Sequence, residues 1–302
     1  MEQLVSQIIN GLQLGLVYAL IALGYTMVYG IIKLINFAHG DVFMVGAFVG
    51  FFGFTYYAGL PGWLAVILSI ITAMLICAVL GVVIERLAYR PLRYAPRIAA
   101  LISALGVSLF LEYFCSLSFV FGPNFRNVLN LPIEARKIEA LPDWLPVTNI
   151  QFLIFITVIV CLVLLQLLVK RTKIGMAMRT VAHDHDAARL MGINVDFVIS
   201  VTFAIGSALA AVGGVLYTFA YPQIYPFMGI MPGLKAFTAA VLGGIGSIPG
   251  AVLGSLIMGQ AEILTAGYLT SQARDAIAFG ILILVLLIRP TGILGSTARE
   301  KV

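Results

Sequence analysis

Long apolar runs recur from one end of this chain to the other, and they constrain its fold more than any other feature. A helix needs about 20 apolar residues to cross the hydrocarbon core of a bilayer. Eight runs read as spans: 6–32, 41–58, 63–84, 98–120, 150–169, 197–220, 250–267 and 275–289. A ninth, at about 234–245, is too short to cross as an ordinary helix. Only 10% of the 302 residues are charged and 61% are apolar, whereas a soluble domain carries roughly 25% charge. So few charges cannot cover a surface that faces water. The expectation is an all-α, polytopic transmembrane helix bundle of about 8–9 membrane segments, with residues 1–302 forming a single transmembrane domain.

The net charge of +5 then reports cytoplasmic loops rather than nucleic acid. The stretch 85–97, ERLAYRPLRYAPR, holds Arg86, Arg90, Arg93 and Arg97 against Glu85. The segment 170–196 holds Lys170, Arg171, Lys173, Arg179 and Arg189. Both belong inside. In the loop 121–149, Arg126, Arg136 and Lys137 are balanced by Glu134, Glu139 and Asp143, which suits the outside. Lys33 falls inside and the N-terminus outside. Arg289, Arg299 and Lys301 favour an inside tail, so the short ninth run must count as a crossing or half-crossing. MEQLVSQIING has no basic start before its apolar run and is expected to stay in the mature protein. Cys77, Cys115 and Cys161 sit in apolar runs at spacings that fit no metal motif and read as small hydrophobes.

Two segments break the pattern. KLINFAHGDVFM, residues 33–44, puts Lys33, Asn36, His39, Gly40 and Asp41 between apolar runs. It fits a surface turn, a catalytic or metal cluster, or a broken helix on a solute pathway. GGIGSIPG, residues 243–250, is either a tight surface turn between two spans or a break set by Gly243, Gly244, Gly246 and Pro249, and the shortness of the preceding run favours the break. Interrupted apolar segments in corresponding halves mark the path of a transporter built from repeats. Irregular backbone at membrane depth survives only where protein or a water-filled cavity covers it. Gly11 and Gly15, Gly46 and Gly50, and Gly250 and Gly254 have the spacing that lets helix backbones approach closely. Glu112 is an acid deep in a span and should face the interior with a partner. Glu262, Arg274 and Asp275 lie nearer span ends, where a surface role is expected.

After the fifth span the chain reads KIGMAMRTVAHDHDAARLMGIN. It has helical composition from Gly175 to Gly192, with glycine as the stop, and Met178, Ala182 and Met191 are placed to dock on a partner. His183 and His185 are two apart on a helix and would face away from each other, so they should not share a metal. Nothing in the chain matches the phosphate-binding G-x-x-x-x-G-K-[ST] motif, so any ATP hydrolysis must be borrowed. A stand-alone secondary transporter would carry several coupled ionisable residues within its spans, and Glu112 is the one strong case. A membrane enzyme would want a cluster that His39 and Asp41 alone do not supply.

Asp186, Ala187, Ala188 and Gly192 form D-A-A-x-x-x-G. This resembles the E-A-A-x-x-x-G loop of ABC importer permeases, with T-F-A-I at 202–205 in place of the usual I-x-L-P, as in the divergent permeases of the second (type II-like) importer class. GLVYALIALGYTMVYGIIKLINFAHGDVFMVGA, MAMRTVAHDHDAARLMGIN, VLGGIGSIPGAVLGSLIMG and RPTGILG together resemble the bacterial branched-chain amino acid permeases of the LivH type. The resemblance implies a multi-pass subunit in the bacterial inner membrane that works by alternating access. Its implied partners are a LivM-type permease, two ATP-binding subunits that hold ATP and Mg, and a periplasmic solute-binding protein, besides membrane lipid. No cofactor is expected on this chain. Asp186, Ala187, Ala188 and Gly192 would couple to the ATPase. Asn36, His39, Gly40, Asp41, Glu112, Gly243, Gly244 and Gly246 would lie on the path or gate. The implied solutes are leucine, isoleucine and valine, with urea and short amides in a sister branch.

Overall fold

The helix α1, Glu2–Ile32, is the post around which the rest is packed. Residues 14–28 contribute a nearly unbroken buried surface, with Ala19, Leu20, Ile21, Ala22 and Leu23 all fully covered. A helix that is apolar on every side belongs in the middle of a bundle. The computed structural model describes residues 2–295 except 94, 129–130, 139–141 and 143–144.

The helices that follow are α2 His39–Tyr56, α3 Gly62–Ile84, α4 Arg97–Ser116, α5 Asn149–Arg171, α6 Lys173–His183 and α7 His185–Leu190. Then come α8 Val195–Ala220, α9 Ile230–Gly243, α10 Ile248–Tyr268 and α11 Ala273–Ile288. A π-turn at Glu85–Tyr89 and a 3-10 turn at Arg90–Leu92 extend α3. Each of the nine apolar runs is therefore a helix. Six are long and apolar enough to cross a membrane: α1, α3 with its extension, α4, α5, α8 and α10. The shorter α2, α9 and α11 complete the bundle.

Close backbone contacts hold the centre together. A Cβ on Gly259 of α10 would lie 2.3 Å from the Gly15 nitrogen of α1. One on Gly214 of α8 would lie 2.2 Å from the Phe43 carbonyl of α2, and one on Gly254 2.1 Å from the Ala239 carbonyl of α9. Lipid is as apolar as leucine, so association in a bilayer relies on such packing. The outer ring is α3, α4 and α5, which present Leu75, Val79, Phe110, Ile159 and Leu164 at the surface. Thr148 caps α5 in a reciprocal pair with Gln151, and Asn194 and Ser247 cap α8 and α10. These side chains satisfy N–H groups that helix starts leave unpaired.

The two ends differ in chemistry. At one end the Tyr89 hydroxyl donates to Asn36 Oδ1 at 3.0 Å, and His185 Nε2 meets the Ile31 carbonyl at 2.9 Å. Leu294 N–H reaches the Gly243 carbonyl there at 2.9 Å. This is the end of the basic segments, so Lys33, 85–93, 170–196 and residues 289–295 share a side. At the other end β1, Arg126–Asn127, pairs antiparallel with β2, Gln223–Ile224, and Gln151 bonds Asn10 at 2.9 Å. The residues Glu139, Asp143, Arg299 and Lys301, and the side chain of Arg97, lie outside the described set.

Candidate gate and coupling face

The first break occupies the N-terminal half of the stretch the sequence marked. The chain leaves α1 at Ile32 and is irregular from Lys33 to Ala38, while His39, Gly40 and Asp41 already form the first turn of α2. Lys33 takes a left-handed conformation, φ 55°, which a non-glycine residue holds only when its surroundings demand it. Asn36 is thus in the break, and His39, Gly40 and Asp41 are in the helix. All four are almost fully buried.

The break turns back into the bundle. His39 packs against Gly24 and sets its ring edge-on to Tyr25 at 4.8 Å. Tyr25 lies seven residues before the end of α1, or ~10 Å along its axis. The second irregular stretch, 221–229, comes in from the opposite end and delivers α9 to the same level. There a Cβ on Gly40 would lie 2.6 Å from the Gly229 carbonyl, and one on Gly229 would lie 2.3 Å from the Gly40 carbonyl. The starts of α2 and α9 therefore abut inside the bundle, and the two helices run to opposite ends. This is the antiparallel relation of two half-helices in an inverted repeat.

The GGIGSIPG break is a different feature from this meeting point. Gly243 is the last residue of α9, and Gly244 and Gly246 have φ of 104° and 98° in the turn to α10. That turn sits at the basic end, where a Cβ on Gly30 would come within 3.8 Å of Gly246. It is the return of a helical hairpin at that end.

Glu112 faces inward, as a carboxyl in a span must. Ser108, one turn before it on α4, donates to Asp41. The site residue Asp41 of α2 is thereby tied to the turn of α4 that carries Glu112.

On the coupling face, the helix expected over 175–192 is two helices. Asp184 is extended, φ −154°, and its carboxylate accepts from the N–H groups of Asp186 and Ala187 at 2.8 and 3.0 Å. A side chain that competes for backbone N–H groups ends one helix and caps the next. Met178 and Ala182 turn inward onto the bundle, which corrects their reading as docking residues. Leu190 and Met191 stand out instead, 89% and 80% exposed. Asp186, Ala187 and Gly192 are exposed beside them, whereas Ala188 is fully buried and packs α7 down. Gly192 is left-handed, φ 79°, and ends α7 with bonds from its own N–H to Arg189 and from Ile193 N–H to Ala188. This is a Schellman stop, which favours glycine for its backbone freedom.

The Asp184 carboxyl is held below the usual carboxylate value by the Ala187 and Asp186 N–H groups. A depressed value stabilises the cap above the ordinary carboxylate pKa and fails as pH falls through the lowered one, so the cap is intact at neutral pH. Replacing Asp184 with Ala is expected to speed hydrogen exchange of the Asp186 and Ala187 amides several-fold, while Asn, which caps equally well, leaves it near the parent rate. Equal exchange in both variants would remove Asp184 from the cap.

Two polar clusters escaped the sequence reading. Glu85, noted there only as a counter-charge, is fully buried, ion-paired to Arg93 and bonded by Ser200 Oγ at 2.7 Å. Arg93 also pairs with Asp196, so α3's extension is pinned to the start of α8. Lys235 of α9 bonds Glu262 of α10 and Asp275 of α11, each at 2.7 Å, and the Tyr18 hydroxyl donates to Glu262 at 2.8 Å. Arg274 Nε lies 3.5 Å from Glu262. Glu262 is 3% exposed, which overturns its assignment to a surface role. The available signal was a lone Lys in one apolar run and a lone Glu in the next.

An apolar bundle with two re-entrant half-helices, buried charge pairs and one exposed helical turn at its basic end is the architecture of a multi-pass permease. The chain belongs to the family of branched-chain amino acid transport system permease components, whose model matches residues 7–286. It is 46% identical over 98% of its length, and 97% of the relative's, to the high-affinity branched-chain amino acid transport system permease protein LivH of Escherichia coli K12. The corresponding protein BraD of Pseudomonas aeruginosa is 44% identical over 98% of this chain and 97% of its own. A probable LivH of Methanocaldococcus jannaschii is 31% identical over 91% of this chain and 88% of its own. The chain is accordingly a multi-pass inner-membrane permease component.

Proposed function

We propose that this chain carries branched-chain amino acids inward as one membrane subunit of an ATP-driven importer. It would pair with a LivM-type permease, receive solute from a periplasmic binding protein, and be driven by two ATP-binding subunits that hold ATP and Mg. The chain itself would do no chemistry. The observation that carries the coupling reading is the exposed turn of α7, with Asp186, Ala187, Leu190, Met191 and Gly192 facing outward at the basic end. An apolar pair rimmed by charge suits a partner's groove.

The path from that turn to the gate is short. His185 holds the Ile31 carbonyl at the end of α1, directly before the Lys33–Ala38 break. Tyr89 holds Asn36 within the break. Closure of the ATPase pair would displace α7 and, through these contacts, the break and the buried start of α2. A ligand or partner shifts such an equilibrium only through contacts that differ between its two states. The Asn36, His39, Gly40, Asp41 and Glu112 cluster would then hold the gate, with Gly243, Gly244 and Gly246 as the flexing cytoplasmic hairpin.

A substitution at Gly192 tests this. No atom lies within 4 Å of a Cβ placed there, so Gly192→Val meets no clash within the chain. It does meet the left-handed backbone, which disfavours a side chain by roughly 1–2 kcal/mol. Insertion and assembly should persist while solute-stimulated ATP hydrolysis of the reconstituted complex falls at least about tenfold. Normal stimulation would sink the coupling assignment. Uptake of labelled leucine, isoleucine and valine, with urea as competitor, tests the solute.

A further inference from the structure

A cavity of about 540 Å³ opens at the basic end between α1, α6 and the α9–α10 turn. That is within the range of small-molecule sites. Its wall includes Met178, Ile245 and Ile248, and its two charged side chains are Lys33 and Arg179. No acid lines it among the described residues. Arg179 makes no ion pair among them either, so its charge is available.

Thr26 lines the same cavity. It is 2% exposed, and its hydroxyl has no hydrogen-bond partner among the described residues. This is unlike the other buried helical threonines. Thr202, Thr238 and Thr265 each return the hydroxyl to the carbonyl four residues earlier, at 2.8, 2.9 and 2.6 Å. A buried polar group without a partner is costly and is expected to find one in a ligand or water.

We propose that this cavity binds a small aliphatic carboxylate from the cytoplasm, and that occupancy restrains transport. Arg179 and Lys33 would take the carboxylate, the Thr26 hydroxyl, which is itself covered, would rotate to meet a second polar atom, and the Met178, Ile245 and Ile248 wall would hold the branched tail. The transported amino acid and the 2-oxo acid made from it by loss of the amino group share this chemistry. The walls are α6, next to the coupling turn, and the α9–α10 hairpin. A molecule wedged between them opposes their relative motion. The regulatory half rests on the function proposed above; the binding half does not.

The test uses the assembled complex in inside-out vesicles, with a thiol introduced by Ile245→Cys and its modification by a cationic thiol reagent read by peptide mass spectrometry. Leucine or 4-methyl-2-oxopentanoate should slow labelling, and which of the two does so at lower concentration identifies the source. Leucinamide and inorganic phosphate should not protect. In Thr26→Val or Arg179→Gln backgrounds, protection should need about tenfold more ligand. Thr26→Val removes an unpaired hydroxyl and should melt no lower than the parent, so lost protection cannot be blamed on unfolding. Equal protection by leucinamide, unchanged protection in Thr26→Val, or none by either carboxylate overturns the binding site. Protection without any fall in solute-stimulated ATP hydrolysis overturns the regulatory half alone. Failure of leucine uptake, measured separately, bears on the transport function and leaves the labelling result standing.

Discussion

Leucine in place of Gly40 or Gly229 is expected to remove nearly all folded protein from the membrane. The starts of α2 and α9 abut at these two residues, each with its Cβ position 2.6 Å or less from the other's carbonyl oxygen. The obstacle in both cases is backbone, which cannot rotate away as a side chain can. Overpacking a filled core costs typically 1–3 kcal/mol, and here relief requires moving a whole half-helix. Gly233 packs on the same spot, with its Cβ position 2.9 Å from the Gly40 Cα, so no neighbouring space exists. Gly59→Leu is the control, because nothing lies within 4 Å of its Cβ position. Membrane abundance and monodispersity in detergent are the measurements. If Gly40→Leu accumulates like Gly59→Leu, the two half-helices do not meet as described.

Lys235→Met should be the most damaging single change among the buried charges. Lys235 is the shared partner of Glu262 and Asp275, and only 6% of its side chain is exposed. Removing one member of a buried pair leaves the other uncompensated, at roughly 3–5 kcal/mol. The loss would fall on Glu262, which among the described residues keeps only the Tyr18 hydroxyl and Arg274 at 3.5 Å. Replacing both members by apolar residues is often neutral, so Lys235→Met combined with Glu262→Leu should recover most of the stability. Thermal unfolding of the purified protein reads both. A double variant no better than the single would show that each residue acts separately.

The apolar runs disclosed where nine of the described helices lie, six of them long and apolar enough to cross a membrane, because crossing a bilayer requires long apolar runs whatever the fold around them. The charge distribution disclosed which ends share a side because loops obey charge and not packing. The D-A-A-x-x-x-G stretch was legible as an exposed turn at the basic end because glycine there has a local reason, the left-handed stop of α7. Other features were not legible. His39 and Asp41 are polar by type, and nothing in their neighbours says that the chain re-enters the bundle before them and that they open a helix there. Asp184 looked like one more charge in a helix, whereas its carboxylate ends α6 and starts α7. Met178 and Met191 were equivalent by type, yet one is inside and the other outside.

What the sequence determined by itself is therefore class and sidedness of the loops: an all-α membrane permease with an exposed turn at its basic end. These follow from quantities that add along the chain, apolar length and charge. Only the tertiary structure decided that α2 and α9 begin against one another, that Lys235 and Glu262 are partners, and that the Thr26 hydroxyl has none among the described residues. The physical reason is that each depends on which atoms lie within about 3 Å across helices, on residues separated by 27 positions for the ion pair and by more for the half-helices, and no local pattern records that distance.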